Sequence, residues 1–208
     1  MHKEILTAEQ IELLPLVKEF SRNFYLVGGT AIALYIGHRE SIDFDLFTLK
    51  KLNNKSIKNK IFDKKPKGVT VSRIFENTEQ MHYLLNGVKF TFFNFNFKVP
   101  SGNKFENIIP LPSLLELAAM KAFALGGRGK WKDYVDLYFI VKSYHSIKEI
   151  SDKAYQLFEG HFNHKLFLQQ LAFFKDLDYS EEVTFLKGFE VSDAAIKKYL
   201  IKVATEPF

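Results

Sequence analysis

Between residues 25 and 47 the chain reads YLVGGTAIALYIGHRESIDFDLF, and this segment limits the folds open to it more than any other. An apolar run over 24–27 ends at Gly28-Gly29 and passes without a spacer into the helical pattern of residues 30–36. Adjacent glycines let backbone N–H groups and a helix N-terminus approach an anion with no Cβ in the way. Fourteen residues after Gly29, Asp43 and Asp45 flank Phe44 in a run read as a second strand over 42–47. Alternate residues of a strand share a face, so the two acids point one way while Ile42, Phe44 and Leu46 point into the core. Carboxylates held this close repel unless a cation lies between them, and hard oxygen ligands so arranged suit Mg²⁺. Thr30 and Ser41 add hydroxyl donors for phosphate oxygens. Taken alone, a glycine pair is most often a tight turn and a D-x-D a solvent-facing strand; in this order they describe a phosphate cradle facing a cation site.

The rest of the chain frames this segment. Residues 7–21 carry helical spacing behind a Thr7 cap, with a break or restart expected at Pro15. VTVSRIF at 69–75 reads as a strand, and MHYLLNGVKFTFFNFNF at 81–97 as a hairpin turning at Asn86-Gly87. After Pro110 the pattern becomes helical: residues 111–125 behind a Ser113-x-x-Glu116 capping box, residues 132–143 after the GGRGK turn, and helix-like sequence to the end. A sheet with helices followed by helices alone is an α+β arrangement, divided here into a core over 1–108 and a helical region over 109–208 that completes the active-site cleft.

Composition narrows the setting. With 208 residues the chain is long enough to bury a real core, and without cysteine it has neither disulfides nor thiolate metal sites, which fits a reducing compartment. Its first residues are too interrupted by charge for a signal peptide, and no run reaches the length of a membrane span, so the cytoplasm is the expected location and no membrane partner is expected. The net charge of +5 favours an anionic partner. The lysines of KKLNNKSIKNKIFDKKPKG at 50–68 are read first as a solvated surface.

The pattern VGGTAIAL followed by HRESIDFDLF resembles the polymerase-β-type nucleotidyltransferase superfamily, and within it the AbiEii/AbiGii toxin-like branch that includes the MenT toxins. A second block, LLELAAMKAFALGGRGKWKDYVDLYFIV, is similar to the family's segment in which a helical lysine precedes an arginine and two aspartates. Together the blocks span about residues 24–141. The resemblance implies a mixed sheet flanked by helices, a helical second half, and an enzyme that uses an NTP and Mg²⁺. It also implies the toxin half of a bacterial toxin–antitoxin or phage-defence pair, hence a cognate antitoxin partner, with the 3′ end of an RNA, a tRNA above all, as acceptor.

The resemblance gives Asp43 and Asp45 the metal, Gly28, Gly29, Thr30 and Ser41 the triphosphate, and Lys121 the phosphate charge. Physical reasoning supports part of this. Leu114, Leu117, Ala118, Lys121 and Leu125 share one stripe, which puts a lysine on an apolar face where it needs a partner or must reach water. Asp136 stands among core-like neighbours and is read as orienting Lys121 or Arg128, or as a general base. Asp133, in a first helical turn, is explained by the helix dipole. Arg128 is a phosphate clamp or a surface charge. One departure stands out: Thr91, with Asn94 nearby, occupies the region where many relatives carry a third acid. Two rival readings stay open: transfer to a protein hydroxyl, and a nucleotide-binding module that kept the fold and lost the transfer.

Overall fold

The computed structural model describes residues 1–127 and 129–206, and the chain divides into two compact units, Met1–Ser113 and Leu114–Phe208.

In the first unit, Thr7 opens helix α1 (Ala8–Phe20) with a complete capping box closed by Gln10. Pro15 lies inside α1 and does not break it, contrary to the sequence expectation. Its ring sits on the exposed side, where water can take the carbonyl left without an N–H donor. Strand β1 (Tyr25–Val27) then runs directly into helix α2 (Gly28–Ile36), which ends at Gly37 in the left-handed conformation. Strand β2 (Phe44–Thr48) follows, then helix α3 (Asn54–Lys64), which carries much of the lysine-rich segment and buries only Ile57 and Ile61. The long hairpin comes next. Strands β4 (Gln80–Leu85) and β5 (Val88–Asn94) are joined at Asn86 and Gly87, both at positive φ, and β3 (Val71–Glu76) pairs outside β4. A second small hairpin, β6 (Asn103–Phe105) with β7 (Ile109–Leu111), was not foreseen from the sequence.

The five-stranded sheet has the order β1-β2-β5-β4-β3, with β2 and β5 parallel and the other pairs antiparallel. Strand alternation gives it two unlike faces. Phe44, Leu46, Met81, Tyr83, Phe90 and Phe92 are sealed on one face, where Phe20 of α1 meets Phe92 edge-on at 4.8 Å between ring centres. Each aromatic ring buried in this way contributes roughly 1.5–3 kcal/mol. Asp45, Phe47, His82, Thr91 and Phe93 alternate onto the other face and are only half-buried. Ile42 does not join the core as expected: it precedes β2 and is exposed.

The second unit is helical: α4 (Leu114–Leu125), α5 (Trp131–Ser143), α6 (Ile147–Phe158), α7 (His164–Leu171) and α8 (Asp193–Thr205). Ser146 and Glu149 form a capping box on α6. The coil before α8 is tied back through aromatic rings. Lys197 lies 5.2 Å from the Trp131 ring and 5.1 Å from that of Tyr179, and Tyr179 is 5.5 Å from Trp131. Among the described residues no helix is long and apolar enough to cross a membrane.

Candidate active site

The glycine pair and the acidic strand meet because β1 and β2 are antiparallel and Val27 lies opposite Asp45. Gly28 takes φ +74°, and a Cβ there would overlap the Asp45 carboxylate and lie only 3.0 Å from its Cγ. The carboxylate of Asp45 therefore occupies the space over the start of α2 that a side chain would fill. Gly29 has the same requirement for another reason: its Cβ would lie 2.5 Å from Nη2 of Arg39 and 2.9 Å from Oγ of Ser41. Both glycines are needed for close approach, and only the first also for its backbone angle.

Thr30 holds the loop that carries the acids. It is buried, and its hydroxyl has three acceptors in reach: the Ser41 carbonyl at 3.2 Å, the Ser41 hydroxyl at 3.0 Å and the Asp43 carbonyl. A hydroxyl has one proton to give, so Thr30 anchors the chain over 41–43. Ser41 is buried beside it, while Asp43 and Asp45 are half-buried. Asp43 precedes β2, and Asp45 lies inside it.

The structure adds Arg39, which sequence reasoning passed over. The residue is 1% exposed, and its guanidinium donates to the Glu40 carbonyl at 2.8 Å, placing a permanent positive charge beside Gly29. The signal was in the quoted motif, where an arginine sits among residues that need to be close to an anion.

Along β5, Thr91 stands in register with Asp45, and along β4 His82 stands in register with Thr91. The position opposite Asp45 therefore carries a hydroxyl where an acid was sought. Among the described residues, histidines and acids do not gather in threes as a metal cage would. Two carboxylates are a sufficient protein share for Mg²⁺, which commonly binds through one or two carboxylates and completes its shell with substrate phosphates and water. The donor chemistry of Asp43 and Asp45 fits that ion.

In the second unit Lys121 is buried, and its ammonium pairs with Asp133 and, at 3.0 Å, with Asp136. Asp133 is 2% exposed and Asp136 0%, so Asp133 is more than a dipole-complementing surface acid, as its sequence position had suggested. Spacing of three along α5 sets both carboxylates on one face toward α4. Arg128, assigned to phosphate from the sequence, lies outside the described residues.

Residues 16–201 match the model of the family described as nucleotidyl transferase AbiEii toxin, type IV toxin–antitoxin system. The uncharacterized protein aq_aa25 of Aquifex aeolicus is 30% identical over 159 residues, which cover 74% of this chain and 75% of that one. Two solved structures share the fold. MenT4, a nucleotidyltransferase toxin of Mycobacterium tuberculosis, aligns with a TM-score of 0.65 at 13% identity, covering 94% of this chain and 80% of the other. JHP933 of Helicobacter pylori aligns at 0.51 with 20% identity, over 79% and 71%.

Proposed function

As a member of the AbiEii nucleotidyltransferase toxin family, the chain is a nucleotidyltransferase, and we propose that it moves a nucleoside monophosphate from an NTP to the 3′ hydroxyl of an RNA, a tRNA before other RNAs. The observation that carries this reading is the placement of Asp45 over the bare backbone of Gly28 at the start of α2. It sets a carboxylate beside a helix N-terminus whose first residue carries no Cβ, where phosphate oxygens can approach backbone N–H groups. A carboxylate and a phosphate brought together there are stabilised by a cation between them, and Mg²⁺ suits that oxygen set.

In this reading Asp43 and Asp45 hold Mg²⁺, which would supply charge neutralisation at the phosphates. Gly28, Gly29 and Ser41 line the triphosphate, Thr30 holds the 41–43 loop in place, and Arg39 adds fixed positive charge. The hydroxyl oxygen bonds to the α-phosphorus, the bond from that phosphorus to the bridging oxygen breaks, and pyrophosphate leaves with the electron pair. Lys121, given to phosphate by the sequence motif, is held by Asp133 and Asp136 inside the second unit, where its ammonium is their counter-charge. A fully buried carboxylate already paired to an ammonium is better placed to orient than to take up a proton. Arg128 keeps its assignment as a phosphate clamp from the sequence motif. A cognate antitoxin is the protein partner implied by the family, and the cytoplasm is the setting that supplies NTP and tRNA together.

The test is incubation with each labelled NTP, Mg²⁺ and total RNA or total protein, beside Asp43→Ala and Asp45→Ala. Label in RNA that both substitutions remove is the expected result. Label that survives both overturns the site, and label in protein alone moves the acceptor to a protein hydroxyl.

A further inference from the structure

The open face of the sheet continues the site in a direction the sequence motifs do not mark. Cα partners run Asp45, Thr91, His82 across β2, β5 and β4. In each strand the residues before and after the one in this row are turned to the sealed face. With neighbouring strands about 4.8 Å apart, the His82 backbone stands roughly 10 Å from that of Asp45 across the sheet, wide enough for a phosphoryl group and an attacking hydroxyl side by side.

The imidazole is prepared for one role. Its Nε2 lies 3.2 Å from Oε1 of Gln80. An amide oxygen only accepts, so Nε2 carries the hydrogen and the neutral ring keeps its lone pair on Nδ1. Burial, and next the Lys89 ammonium, hold His82 below the usual imidazole range against the opposing pull of Asp45, so the neutral ring prevails at pH 7. The Phe75 ring, on the neighbouring strand β3, lies 5.6 Å from it. A fixed tautomer and a packed ring are what a proton acceptor needs.

We propose that His82 is a catalytic residue of the acceptor side, whose Nδ1 takes the proton of the attacking hydroxyl. This rests on the nucleotidyl-transfer reading above. As the oxygen bonds to the α-phosphorus and pyrophosphate departs, the O–H electron pair becomes the new P–O bond and the proton passes to Nδ1, then to water. The row then explains why Thr91 can replace an acid: the basic group has moved one strand further across the sheet.

The experiment compares the native protein with His82→Ala and His82→Asn, using labelled NTP and total bacterial tRNA as probes. The asparagine amide oxygen falls near the place of Nδ1. His82→Ala should lower kcat by about 10²-fold while NTP affinity, measured by equilibrium titration, and the melting temperature stay as in the native protein. His82→Asn should recover part of the loss by holding the hydroxyl. Native kcat in His82→Ala overturns the proposal, as does a loss confined to NTP affinity. If the native protein labels no acceptor at all, the transfer reading falls first; if it does and His82→Ala matches it, only His82 falls.

Discussion

Asp43 and Asp45 in the first unit and Asp133 and Asp136 in the second are two pairs of the same side chain in two different solvents. The first pair sits two apart near one strand, half-exposed, with Asp45 set over a glycine backbone. The second sits three apart on a helix, sealed from water and closed on the Lys121 ammonium. Both spacings put two carboxylates on one face, so periodicity alone does not separate them. Burial does: a sealed pair must carry its counter-charge inside the protein, whereas an open pair can take it from a substrate complex. The comparison teaches that the first pair is arranged for something that comes and goes, and the second for something that stays.

The largest expected effect tests the open pair. Asp45→Ala should reduce transfer by about 10³-fold, several kcal/mol of transition-state stabilisation, while the free energy of unfolding moves by less than about 1 kcal/mol. A chelator should abolish transfer in the native protein, and added Mg²⁺ should restore it; transfer that continues in excess chelator would separate the open pair from any metal. The sealed pair should behave in the opposite way. Asp136→Ala leaves Lys121 short of a buried partner and should destabilise the fold by about 3 kcal/mol, seen as a lower denaturation midpoint with an unchanged slope. If Asp136→Ala unfolds at the native midpoint yet is inactive, the contrast between the two pairs fails. The smallest effect concerns the anchor. Thr30→Val removes the hydroxyl that holds residues 41–43, and should cost about 1 kcal/mol of stability with a larger proportional loss of transfer, because Asp43 shifts.

Much of the first pair's setting was legible in the chain. A glycine pair between a strand and a helix, followed by alternating acids, depends on local periodicity, and the structure has β1, α2 and β2 in that order. What escaped depended on burial or on pairing. Asp133 looked like a first-turn acid because the dipole explanation needs no neighbours, and its partner lies twelve residues earlier on α4. Ile42 was placed inside because alternation was extended past the true start of β2. The β6–β7 hairpin has strands of three residues, too short for a period to show. His82 could have been found: a two-residue turn at Asn86-Gly87 pairs Leu85 with Val88, and counting outward pairs His82 with Thr91.

The bare backbone at Gly28 has a consequence for how the gene can fail. Every glycine codon begins GG, so a single base change at either of those two positions usually installs a Cβ, and at this position any Cβ strikes the Asp45 carboxylate. For a toxin this is an exit that needs no frameshift: cells that outgrow its expression should include lineages with a full-length, folded and inert product. Sequencing such survivors and probing them for intact protein would show whether position 28 recurs among them more often than the exposed glycines at 102 and 160, where an added Cβ meets only open space.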